Sequence, residues 1–175
     1  MKLKNYVLIM LLRFLTSRLC ICGLNVTLIV LCSRIITTVL PLLNDYVKNE
    51  EILQNIVQNS EEIFIIFGVI LEERDFLMEK IGLYPAFYNR KEELTDEACH
   101  AYGLALLIVA SLLVIPINLI VIPNQVVNTD NIELGLYYFS LISLCIAIFI
   151  LIKFSYRLLA IQLNWVSMAE EENEE

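Results

Sequence analysis

Residues 101–122 read AYGLALLIVASLLVIPINLIVI, 22 in a row without one ionisable side chain. A hydrocarbon layer of about 30 Å takes roughly 20 apolar residues at about 1.5 Å each, so the stretch predicts a membrane-spanning helix. Tyr102 stands at its start and Pro123 just beyond its end. A second run, 134–152, has the same character, and the short polar link 124–133 makes the pair a helical hairpin.

The composition agrees. The 175 residues are 58% hydrophobic with a mean hydropathy of +0.71, too apolar for an ordinary soluble domain. A formal net charge of −8 argues against nucleic acid as a partner, since phosphate contacts need clustered Lys and Arg. Part of that acidity is local. Glu170, Glu171, Glu172, Glu174 and Glu175 read as an acidic, disordered, solvating tail over 166–175. Five cysteines, Cys20, Cys22, Cys32, Cys99 and Cys145, are an odd number set mostly in or beside apolar runs, which fits packing residues better than a disulfide framework.

At the other end, Lys2, Lys4, Arg13 and Arg18 punctuate the apolar run that follows Met1. They interrupt what would otherwise be a signal-peptide core, and residues 1–18 are expected to lie on the membrane as a basic amphipathic helix. The first span is expected at 20–40, ending at Pro41. It carries Arg34, whose charge near a helix centre would cost about 2.5–3.5 kcal/mol unless a partner, water or headgroups receive it.

The stretch 44–71 is ambiguous, because its continuous apolar run, Ile63 to Leu71, is too short to cross unless the helix begins near Ile52. Gln54, Gln58, Glu61 and Glu62 fall at helical spacing and draw one polar stripe along it. Charge placement favours a crossing at about 52–71. With it, ten of the 12 Lys and Arg residues share one side, whereas without it four would face six across the membrane. The expected fold is therefore an all-α integral membrane protein with four transmembrane helices and both termini cytoplasmic, in a bacterial inner membrane.

Between the two pairs of spans lies the charged cytoplasmic segment 72–98. The second helix is expected to run on through Arg74 and Lys80 until Gly82 and Pro85 stop it. Thr95 is expected to cap the third helix, with Asp96 and Glu97 in its first turn. The hairpin unit is expected to occupy 99–165, with Pro116 kinking the third span, Asn118 just beyond it, and the fourth helix continuing along the inner surface to about Trp165.

Catalytic chemistry finds little to work with. His100 is the single histidine, and no metal-protease, nucleotide-loop or paired-cysteine motif occurs. A non-enzymatic protein without metal or cofactor is expected. The intramembrane polar residues Arg34, Gln58, Glu61, Glu62 and Asn118 are the candidate functional groups, with Arg34 paired to Glu61 or Glu62 within one subunit or between subunits. The leading expectation is an oligomeric membrane-permeabilising or membrane-perturbing effector of an anti-phage defence or toxin system. Its partners would be the lipid bilayer, further copies or another membrane protein, and a cytoplasmic trigger protein meeting 72–98. In length, span number and inward termini the chain resembles the four-span immunity proteins of pore-forming colicins, which implies an alternative role in binding and blocking a pore-forming bacteriocin. An accessory subunit of a membrane complex would share the same architecture.

Overall fold

The computed structural model describes residues 10, 13–14, 16–80, 82–84, 89–121 and 132–163, and its regular structure among these is helical throughout. The expected surface helix at 1–18, the link at 124–133 and the acidic tail fall wholly or largely outside the described residues.

Helix α1 spans Arg18–Leu42. It starts where Ser17, in extended backbone, accepts the Cys20 N–H at 3.3 Å, which satisfies one of the otherwise orphaned amides of the first turn. The helix was expected to stop before Pro41 but includes it. A proline in the last turn forfeits one hydrogen bond, and the Leu43 N–H still returns to the Val39 carbonyl. Leu43–Asp45 forms a single 3₁₀ turn. Asn49 stitches that turn, its amide donating to the carbonyls of Leu42 at 3.2 Å and Asp45 at 3.1 Å. Helix α2, Tyr46–Glu72, therefore begins well before the expected start near Ile52.

At Glu73 the backbone leaves helical geometry (φ −94°, ψ 17°), and a short helix α3, Arg74–Lys80, follows. Gly82, at φ 74°, takes the left-handed conformation that closes a helix end. Helix α4 runs Arg90–Val121 and α5 runs Glu133–Gln162. The expected cap of α4 at Thr95 is corrected. Asn89 accepts the Glu92 N–H at 3.1 Å, Glu92 and Glu93 occupy the first turn, and Thr95 is buried mid-helix with its hydroxyl on the Lys91 carbonyl. Within segment 72–98, Glu72, Arg74–Lys80 and the residues from Arg90 onward are helical among the described residues.

Three helical stretches are long and apolar enough to cross a membrane: Arg18–Glu72, Arg90–Ile120 and Glu133–Gln162. The first is doubled back on itself. Arg18 at the start of α1 and Arg74 just past the end of α2 both lie 2.7 Å from the same Glu92 carboxylate. Helices of 25 and 27 residues laid end to end would separate these arginines by roughly 80 Å. Hence α1 and α2 are antiparallel, with the 3₁₀ turn at one end of the bundle and the Glu92 cluster, the base, at the other.

The packing order is α1 on α5, α5 on α4 and α4 on α2, while α1 and α2 touch far less. Tyr102 near the base of α4 stacks on Phe154 late in α5 at 4.8 Å between centroids, so these helices are antiparallel too. Phe64 and Leu71 of α2, Leu106 and Leu113 of α4, and Leu144, Leu151 and Phe154 of α5 fill the interior. Between α2 and α4 the backbones nearly touch: a Cβ built on Gly103 would sit 2.7 Å from both the Gly68 carbonyl oxygen and the Glu72 nitrogen. In a bilayer, where lipid is as apolar as leucine, such close approach is what gives two helices an advantage over lipid contact.

Candidate functional site

Two polar features stand out against this apolar bundle, one buried at the base and one exposed on its side. The base feature is built around Arg74, whose side chain is 3% exposed. Glu92 and Asp96 sit one turn apart on α4, so both carboxylates face the same point. Arg74 donates from Nη2 to Glu92 at 2.7 Å, from Nε to the Thr16 carbonyl at 3.0 Å, and from Nη1 to both Tyr84 Oη and Asp96. Tyr84 in turn donates to the second Asp96 oxygen at 2.6 Å, and Arg18 donates to the second Glu92 oxygen at 2.7 Å. Thr16 also places its hydroxyl 3.1 Å from the Met78 sulfur.

The electrostatics follow from this enclosure. Burial pulls the Arg74 guanidinium toward lower pKa, but its hydrogen bond to Glu92 and the Asp96 charge outweigh that and hold it above its ordinary value. Burial raises Asp96, with Tyr84 and Arg74 pulling part of the way back. Burial and the bond to Asp96 also raise Tyr84, which stays a proton donor at neutral pH. Beside them Cys99 is fully buried, and burial pushes its thiol up to about 12, so it is not a ready nucleophile. The arrangement is a clamp: it ties the segment before α1, helix α3 and the base of α4 through one buried cation.

Next to the clamp is a cleft of about 820 Å³ lined by Asp75, Glu79, Glu93, Asp96, Glu97 and His100, a surface of strongly negative character. His100 is exposed, with Nδ1 3.5 Å from Glu72, an ion pair only when the ring is protonated. Among the described residues no group of three or more His, Cys, Asp or Glu has metal-binding geometry.

The lateral feature contains the residues named from sequence. Arg34 is exposed on α1; Gln58 and Glu62 are exposed and Glu61 half-buried on α2; Asn118 is exposed on α4, which runs unbroken through a buried Pro116. Asn55 and Asn59 extend the exposed α2 stripe at helical spacing. Among the described residues, no salt bridge joins Arg34 to Glu61 or Glu62 within the chain. The packing order explains why: α1 rests on α5 and α2 on α4, so α1 and α2 touch little. Arg34 is eight residues from the end of α1 at Leu42, level with Gln54, eight residues into α2, while Glu61 and Glu62 lie further toward the base.

Sequence reasoning missed the Arg74 clamp. Its signal was present as Glu92, Asp96 and His100 at a strict four-residue spacing, but placing the start of α4 at Thr95 hid that helical register. Comparison of the chain with protein-family models, curated proteins and solved structures finds no match.

Proposed function

We propose that the protein is a four-span, non-enzymatic protein of a bacterial inner membrane, with both termini cytoplasmic, that assembles and perturbs or permeabilises the bilayer as effectors of anti-phage defence and toxin systems do. The observation that carries this reading is the exposed stripe Asn55, Gln58, Asn59 and Glu62 on α2. A polar stripe on the flank of an otherwise apolar bundle is costly against lipid and favourable against water or another polar surface. Four spans are supported by the reversal between α1 and α2, which leaves eight of the ten Lys and Arg among the described residues on the side of the base. A trigger protein meeting 72–98 would encounter the acidic cleft and would present basic groups to it.

The test is membrane potential, followed by dye fluorescence in bacteria after induced expression, with the native chain beside Glu61→Leu/Glu62→Leu at matched membrane levels. Depolarisation by the native chain and not by the variant is the expected result. The same stripe also favours the second reading, recognition of another membrane protein as immunity proteins do. Absence of depolarisation together with co-purification of a pore-forming protein would select that reading instead.

A further inference from the structure

We infer that copies of this chain associate side by side, α1 of one against α2 of the next, with Arg34 of each copy paired to Glu62 of its neighbour. The inference rests on the membrane-spanning part of the reading above and is independent of permeation.

Arg34 is an exposed cation on the flank of α1, and Glu62 an exposed anion on the flank of α2, the latter continuing into Asn59, Gln58 and Asn55. Neither charge has an ion-pair partner within the chain among the described residues. Both lie on helices whose remaining exposed positions are mostly apolar, such as Val26, Val30, Leu31 and Leu40 on α1 and Ile65, Ile66 and Val69 on α2. A copy surrounded only by lipid leaves the two charges uncompensated, whereas a second copy supplies each with its opposite.

Register supports the pairing. Copies related by rotation about the membrane normal keep every residue at its own depth, so the level of Arg34 relative to Glu62 across the interface equals that within one copy. Counting from the turn at Leu43–Asp45 and from the base at Arg18 and Arg74, Glu62 lies about 6–12 Å nearer the base than Arg34. Helical side chains lean toward their own N-terminus. On α1 that direction is the base, and on antiparallel α2 it is the turn, so Arg34 and Glu62 lean toward one another. Each copy offers both halves of the contact, and the head-to-tail arrangement closes into a ring with the polar stripe of α2 at every seam.

The test uses full-length chain labelled with donor or acceptor fluorophores and reconstituted in phosphatidylcholine vesicles. The native chain is expected to show energy transfer that survives lipid dilution. Arg34→Glu alone and Glu62→Arg alone each place like charges at every seam, and each is expected to weaken association at least tenfold. Mixing these two variants restores opposite charges at each seam where the two kinds alternate and is expected to restore transfer between them. A monomeric native chain, single variants that associate as well as native, or a mixture that fails to recover would each overturn the inference. If the reversed variants do not insert, Arg34→Gln serves, and unaltered association of that variant overturns it equally. Dye-reported depolarisation, measured separately, distinguishes failure of this contact from failure of the permeability reading.

Discussion

Arg74 Nη2 lies 2.7 Å from one oxygen of Glu92, and Arg18 lies 2.7 Å from the other, so a single carboxylate on α4 joins the two ends of the α1–α2 hairpin. Removing it leaves a buried guanidinium with part of its compensation gone. Breaking a buried pair in this way typically costs about 3–5 kcal/mol, and Asp96 retains its hold on Arg74, which sets the expectation for Glu92→Ala near the lower figure. Arg18→Ala is expected to cost less, since Glu92 then keeps Arg74. Thermal unfolding of the purified chain in detergent checks both; equal losses would show that the carboxylate is not shared in the working protein.

Alkaline pH should loosen the same clamp through Tyr84. Its phenol is raised above the ordinary value near 10 by burial first and by its bond to Asp96 second. Between the unfolded and folded values the folded chain binds the proton and the unfolded chain does not, so stability falls as pH rises above about 10. Below that pH the contribution is fully present. Unfolding temperatures measured from pH 8 to 11 should fall more steeply for the native chain than for Tyr84→Phe, which starts lower and lacks the titration. Parallel curves would show that Tyr84 titrates as an exposed phenol.

Cys99 should resist alkylation in the folded protein. It is fully buried, and its thiol is pushed up to about 12, mainly by burial with Arg74 opposing. Little thiolate exists at neutral pH, and access is closed. A variant retaining Cys99 as its single cysteine is expected to react with maleimide only after denaturation, whereas Arg74→Met, which opens the base, should speed the reaction without denaturant. Rapid labelling of the native base would place Cys99 in solvent.

The contact of α2 with α4 makes a sharper demand at Gly103 than at Gly68. A Cβ on Gly103 meets backbone, the Gly68 oxygen and Glu72 nitrogen at 2.7 Å, so two helices must part. A Cβ on Gly68 meets mainly the Leu107 side chain, whose Cγ is 2.9 Å away, and rotamer change relieves part of the clash. Overpacking of this kind costs about 1–3 kcal/mol. Gly103→Ala is expected at or above the upper figure and Gly68→Ala near the lower, read as unfolding temperature or as yield of inserted protein.

The helices were legible because length and apolar character are local properties: 101–122 and 134–152 announce themselves without reference to anything else. Arg34, Gln58 and Glu62 were legible for the same reason, as polar residues in apolar surroundings. What resisted reading was register. The start of α2 depends on Asn49 reaching back to the carbonyls of Leu42 and Asp45, and the start of α4 on Asn89 accepting from Glu92. Asn89 caps α4 and Asn49 ties α2 to the turn before it; each is a single side-chain choice, yet together they bear on which charges are level. The expected depth match of Arg34 with Glu61 and Glu62 shifted by one to two turns for that reason, and the convergence of Arg18, Arg74, Glu92 and Asp96 depends on contacts 18 to 74 residues apart in the chain.

Asn25 offers a last test of how the bundle interior is held. It lies within α1, the helix that packs on α5, at 0% exposure, and among the described residues neither its amide nitrogen nor its carbonyl oxygen has a hydrogen-bond partner. A buried polar group left unsatisfied costs about 1–3 kcal/mol, while an apolar group of similar shape in the same place carries no such penalty. Asn25→Leu is therefore expected to raise stability by that amount, and Asn25→Asp, which adds a charge without a partner, to lower it sharply. Unfolding in detergent measures both. A loss of stability in Asn25→Leu would mean that the amide is bonded in the working protein, and the partner would then have to enter a position that the folded chain keeps closed.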